Sequence, residues 1–247
     1  HKDFNPIIGN ILRTVDPSLS RETLERLEDF ADGYPQMAML LANDIAAEIP
    51  NIGILNDREL AERLLGIHKE DRETYPILMA CSIFKRFGFY EELEGEVDFI
   101  GNSAAILGPN IQPGPRTREL IFQICEKYQS LGIFERQGRN LLLKPKPLAL
   151  RLAAEWWRYC RPKRAIQVLK ELSNSRSQLS EALCDQMKYL DSLKEAQEIT
   201  KELCGESAPF GQAEVLNSNW GSRLFRSLVE VNPQATLDAL VSVFGDY

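Results

Sequence analysis

Ile133-Phe134-Glu135-Arg136-Gln137-Gly138-Arg139-Asn140-Leu141-Leu142-Leu143 is two short apolar runs about a polar, glycine-containing turn. That chemistry predicts a β-hairpin, because glycine supplies the positive φ of a tight turn and the flanking runs suit a half-buried pleated surface. The segment before it has another period. From Thr117 to Leu131, Leu120, Ile121, Ile124 and Tyr128 share one helical face, and Gly132 closes the helix. A helix from Asp57 to about Leu65 and a strongly apolar one from about Arg72 to Phe87 come earlier, the second carrying Tyr75, Leu78, Met79, Ser82 and Ile83. Gly108 to Pro115 contains two glycines and three prolines and reads as a loop. Three helices and then a hairpin within ~75 residues is the order of a winged-helix domain.

On either side the chain reads as helix. Ser20 suits an N-cap, Glu22 favours the helix dipole in the first turn, and Leu24, Leu27 and Phe30 follow on one face. Gly33 can end that helix and Pro35 can open the next, where its missing N–H costs nothing. Met37, Leu40, Leu41 and Ile45 form the second stripe, and Pro50 stops it. Beyond Pro147, Ser192-Leu193-Lys194-Glu195 is a capping box between a helix ending near Leu190 and one ending at Gly205. Leu224, Phe225 and Leu228 lie on a further helix, and Asn232-Pro233 opens the last, whose stripe is Leu237, Leu240, Val241 and Phe244. Paired short helices predict a solenoid-like array, although no fixed-period repeat supports a tetratricopeptide or ankyrin assignment. The expected fold is therefore mainly α: a helical segment over 1–56, a winged-helix domain with a small β-hairpin wing over 57–158, and α-helical, solenoid-like repeats over 159–247.

The chain has 247 residues, 44% hydrophobic and 26% charged, which is globular composition and excludes a disordered or fibrous protein. No apolar run reaches the length of a membrane span, and no signal segment opens the chain. It begins with His1 rather than Met, which suggests a piece of something longer. Five cysteines, an odd number without C-x-x-C spacing, and two histidines (His1 and His68) argue against a zinc site or a disulfide framework. A reducing cytoplasm is the expected setting. The net charge of −7 is segregated: residues 1–112 carry −10, residues 113–170 carry +9 and residues 171–247 carry −6. A basic centre between acidic flanks suits an anion site, nucleic-acid contact or internal electrostatic docking, and solvated helix faces of differing sign would give the same pattern.

Signatures of catalysis are missing: no P-loop, no dinucleotide fingerprint, no nucleophile elbow and no H-E-x-x-H. Glu91-Glu92 suits an ordinary charged surface. Cys160 stands near Arg158, Arg161 and Lys163, which would lower its pKa, but no base is near in sequence and a structural thiol is the favoured reading. Trp156 and Trp157 suit core packing better than a ligand platform. No catalytic residue and no metal ligand is expected.

Leu19-Ser20-Arg21-Glu22 leading to Ala31-Asp32-Gly33-Tyr34-Pro35-Gln36-Met37-Ala38 resembles the helical-lid segment of STAND NTPases, the signalling ATPases that include plant and animal immune receptors and bacterial anti-phage sensors. Ile77-Leu78-Met79-Ala80-Cys81-Ser82-Ile83-Phe84 and then Phe87-Gly88-Phe89 resemble the first helix of that family's winged-helix domain. Leu142-Leu143-Lys144-Pro145-Lys146-Pro147-Leu148 is similar to the segment that bears the family's Met-His-Asp-like triplet. The likeness covers about residues 5–155.

This resemblance implies that residues 1–56 are the lid of an ATPase module. Gly33, Tyr34 and Pro35 match its G-x-P motif, whose proline packs near adenine. Lys146 falls where the family often has the histidine that senses the β-phosphate, and Pro147 where the aspartate would stand, so the chain departs from the triplet there. A lysine meets phosphate as a point charge. Walker A and Walker B would lie upstream, with Mg²⁺ held by that P-loop core and ATP or ADP bound in the parent protein, while the chain alone has no tight nucleotide site and no ATPase activity. Implied partners are the upstream nucleotide-binding core, a protein trigger on the helical repeats and further copies on activation, in prokaryotic antiviral defence and away from membranes. The same residues leave open a DNA-binding winged-helix regulator, with Arg116, Arg118, Lys127, Arg136 and Arg139 as phosphate contacts, and a helical protein-interaction scaffold.

Overall fold

The structure is a computed structural model that describes residues 6–17, 19, 21–31, 35–46, 57–67, 71–174, 178–190 and 194–245. It is mainly helical, with one small antiparallel sheet of three strands. The chain divides into two compact units, His1–Tyr75 with Lys144–Leu148, and Pro76–Leu143 with Ala149–Tyr247.

The first unit contains α1 (Pro6–Val15), α2 (Arg21–Ala31), α3 (Pro35–Ala46) and α4 (Asp57–Leu64). Apolar stripes at helical spacing explain its packing. Ile8 and Leu12 of α1, Leu24 and Leu27 of α2, and Met37 and Leu41 of α3 are buried, as α1 and α2 pack on each other and on α3. The expected caps and stops at Ser20, Gly33 and Pro50, and the side chains of Phe30, Leu40 and Ile45, lie outside the described residues.

Helix α5 (Thr74–Ser82), which belongs to the second unit from Pro76 on, is apolar all round and correspondingly buried. It starts where Asp71 accepts hydrogen bonds from the Thr74 N–H at 2.9 Å and the Thr74 hydroxyl at 2.6 Å. It also stops short of the expected Phe87. The Ser82 hydroxyl donates back to the Met79 carbonyl at 2.7 Å, and Phe87–Gly88 is drawn into a strand, β1, that the sequence reading lacks. The expected hairpin forms as β2 (Phe134–Gln137) and β3 (Asn140–Leu143), with Gly138 at φ 63° in its turn. Strand order is β1-β3-β2, with Phe87 opposite Leu141 and Phe134 opposite Leu143. Phe87 and Phe134 meet edge-on beneath it.

Between β1 and β2 run α6 (Gly95–Asn102), α7 (Ala104–Leu107) and α8 (Pro115–Ser130). Helices α6 and α8 cross closely at Gly101, where a Cβ would stand 3.1 Å from the Arg118 Cα. The remaining helices are α9 (Lys146–Arg158), α10 (Pro162–Asn174), α11 (Leu179–Met187), α12 (Lys194–Leu203), α13 (Ala213–Leu216), α14 (Asn219–Val231) and α15 (Pro233–Phe244). They pack in succession and in skips: α10 on α7, α11 and α12, and α14 on α11, α12, α13 and α15.

Two polar joints fix these helices, the first of them to the sheet. Glu96 of α6 is buried, and its carboxylate accepts from the Gly88 N–H at 2.6 Å and from the Gln178 N–H at 2.8 Å, just before α11. Buried Gln186 of α11 donates to the Ser82 carbonyl at 2.9 Å, and the Ala182 carbonyl accepts from the Lys85 N–H at 3.0 Å. The second joint surrounds α7. Ser103 caps it by accepting from the Ile106 N–H at 3.1 Å and donates to the Glu171 carboxylate of α10. At its other end Arg164 donates to the Ala105 carbonyl at 2.6 Å and the Ile106 carbonyl at 2.9 Å, satisfying acceptors that a helix end leaves open.

Asn232 caps α15 as expected, accepting from the Ala235 N–H at 3.1 Å with Pro233 at the first position. The expected core stripe of this helix is corrected: Leu237, Leu240, Val241 and Phe244 are exposed, and Ala235, Thr236 and Ala239 are buried instead. Close packing on α14 and α12 selects the small face and turns the large residues outward.

Replacing Glu96 by Gln keeps one acceptor oxygen but sets an NH₂ donor against a backbone donor. Glu96→Gln should cost about 2 kcal/mol of unfolding free energy, read from the urea midpoint. Leu237→Gln, on the exposed face, should leave that midpoint unchanged within about 0.5 kcal/mol.

Candidate functional site

The residues that the family resemblance singles out fall in the first unit. Pro35 is the first residue of α3 and is exposed, so its ring leaves the core while its fixed φ starts the helix. Gly33 and Tyr34 lie outside the described residues. Lys146 is the first residue of α9 and half-buried, and the segment Lys144–Leu148 belongs to the same compact unit as α3. The first turn of α9 contains no acidic residue. A helix start carries partial positive charge, and the Lys146 ammonium adds to it.

In the second unit most basic residues expected at nucleic acid are already engaged. Arg139 pairs with both Glu91 and Glu92. Arg136 donates to the Gly138 carbonyl at 2.9 Å and lies over the Tyr90 ring, 4.0 Å from its centre. Arg118 meets Asp98 at 3.3 Å. Part of the +9 block is thus spent on the acidic stretch from Glu91 to Asp98. These pairs are exposed and contribute little individually, ~0–1 kcal/mol.

The thiols are structural. All five cysteines are free of disulfides and buried. Cys160 corrects the expectation of a lowered pKa: burial pushes it up to about 12, and nearby Arg164 opposes this only in part. Burial likewise pushes Cys184 and Cys204 up to about 11. Cys125 is raised by burial and by its neighbour Cys81. Trp156 and Trp157 are core residues packed edge-on, and the Trp156 indole donates to the Ile106 carbonyl at 2.8 Å beneath the Arg164 guanidinium.

The sequence reading missed a cavity of about 280 Å³ among α10, α11 and α14. Leu169, Leu172, Leu183 and Leu224 form its apolar part, with Glu181 and Asp185 on α11 and Arg223 and Arg226 on α14. The signal was present as two arginines three apart within the Leu224-Phe225-Leu228 stripe. Among the described residues no group of three or more His, Cys, Asp or Glu could hold a metal ion, and no helix is long and apolar enough to cross a membrane.

Raised thiol pKa values carry a sign for stability. Unfolding restores the ordinary value near 9, so above that pH the unfolded chain releases protons that the folded chain retains. The thiols' contribution should be complete below pH 9 and lost as pH rises through about 11 to 12, seen as a falling melting temperature over that window. A water-soluble disulfide reagent should label none of the five thiols rapidly in the native chain and all of them in denaturant. Compared with known proteins, the chain matches no family model, no curated protein and no solved structure.

Proposed function

We propose that this chain is the regulatory clamp and the beginning of the sensor region of a STAND-type signalling ATPase, with its P-loop core elsewhere in the parent protein. In this reading α1–α3 are the lid, α4 to α9 form a winged-helix domain, and the helices from α10 onward start a solenoid-like sensor array. The clamp holds ATP or ADP in a closed state, and a protein trigger on the array releases it for oligomerisation in prokaryotic antiviral defence. The observation that carries the proposal is that Pro35 and Lys146 each open a helix and both fall in one compact unit. An exposed, conformationally fixed ring offers adenine an apolar face, and a lysine at a helix start offers phosphate a point charge. Further support comes from the order α5–β1–α6–α8–β2–β3, with the extra strand β1 completing a sheet beside the hairpin as a winged helix requires.

The winged helix serves here as a protein-packing module. Arg139, Arg136 and Arg118 are held by Glu91, Glu92, Tyr90 and Asp98, which favours this role over a DNA-binding one. Random duplex DNA at low salt should give no retarded band.

Two measurements test the clamp. Purified residues 1–247 should show no ATP turnover, since neither Walker element is present to seat Mg²⁺ and the triphosphate. In the parent protein, Pro35→Ala should leave the melting temperature nearly unchanged and weaken nucleotide retention by ~1 kcal/mol, about fivefold. Turnover by the chain alone, or full nucleotide retention by the variant, would overturn the reading.

A further inference from the structure

The cavity among α10, α11 and α14 has an apolar floor and a charged rim whose charges do not cancel. On the rim, Asp185 is met by Lys85 at 3.4 Å, and Lys188 meets Glu230 at 3.9 Å. Arg223 and Arg226 are exposed and have no ion-pair partner among the described residues. Three positions apart on α14, they share one side of the helix within a single turn. Beneath them the floor is leucine, and the hydroxyl of buried Ser227 turns back to the Arg223 carbonyl of its own helix.

Size and chemistry narrow the occupant. At about 280 Å³ the cavity lies just under the usual small-molecule range of ~300–1,000 Å³, which is room for one large side chain and not for a folded segment. Glu181 and Asp185 on the facing helix are outnumbered by Lys188, Arg223 and Arg226, so the rim keeps a net positive charge. A leucine floor favours an aromatic ring, the residue type that most often anchors a protein interface in such a depression. The two unpaired guanidiniums favour carboxylates next to that ring, since they present planar, bidentate donors.

We propose that this pocket seats an aromatic anchor residue from an acidic segment of a protein partner, whose flanking carboxylates reach Arg223 and Arg226. The inference gives chemistry to the trigger in the sensor role proposed above and rests on that role for its biological meaning. The pocket itself is tested on the chain alone, without nucleotide, so failure here and failure of the clamp are separate results.

The probe is acetyl-Asp-Trp-Glu-amide, added to the full chain carrying ¹³C-labelled leucine methyl groups. The expected result is saturable shifts of the Leu169, Leu172, Leu183 and Leu224 methyls. Replacing Trp by Ala in the peptide, or Asp and Glu by Lys, should weaken binding at least tenfold. The double variant R223E/R226E should weaken it similarly with the other methyl signals in place, and a variant that does not fold leaves the two peptide controls to decide. Absence of shifts at the floor, equal binding of the Lys-flanked peptide, or binding indifferent to the arginine reversals would each overturn the proposal. Shifts of the same methyls on concentrating the chain alone would assign the pocket to a second copy and overturn it as well.

Discussion

The buried carboxylate of Glu96 sets the frame of the larger unit. An ionisable group out of water is costly unless hydrogen-bonded, and Glu96 is bonded twice, to N–H groups at β1 and just before α11. Both donors are backbone, so a side-chain change at Gln178 leaves its bond in place, and the joint is vulnerable at residue 96 and at Gly88. Gly88 is fixed separately, because a Cβ there would fall 2.5 Å from the Leu93 Cβ. The edge strand therefore lies close over the turn before α6, which brings its N–H to Glu96. With α11 held at its start by Glu96 and along its length by the Gln186 bond to Ser82, the helices packed on α11 inherit their orientation from the sheet.

Arg164 plays the complementary part at α7. Its guanidinium closes the carbonyl end of a four-residue helix while lying over the Trp156 ring, so one side chain supplies hydrogen bonds, charge and packing area. Gly108 sits at φ 82° directly against it, leaving no space for a side chain at the turn out of α7. The basic central block has thereby a structural use inside the fold besides its surface pairs with Glu91, Glu92 and Asp98.

Local chemistry was the legible part of the sequence. The hairpin about Gly138, the long helix α8 and the Asn232-Pro233 helix start were readable because turn, periodicity and cap signals act within a few residues. The strand Phe87–Gly88 was not, because two residues have no period and their conformation is set by β3, far along the chain. The face of α15 was misread for a related reason. Hydrophobicity identifies which residues favour burial, but helix approach decides which face is covered, and here small Ala235 and Ala239 allow the closer contact. Family resemblance singles out Pro35 and Lys146 but not Arg223 and Arg226, because two arginines on a helix read as surface until the leucines of the fold enclose a space beside them.

The burial of all five sulfurs has a practical consequence of another kind. With each thiol enclosed, the outer face of the native molecule offers no competing sulfhydryl. A cysteine introduced at an exposed site such as Leu131 or Tyr159 is then the sole point of attachment for a fluorophore or spin label, with no native cysteine removed. Pairs of such labels turn the protein into its own ruler, able to follow the separation of its parts in solution as nucleotide or partner is added.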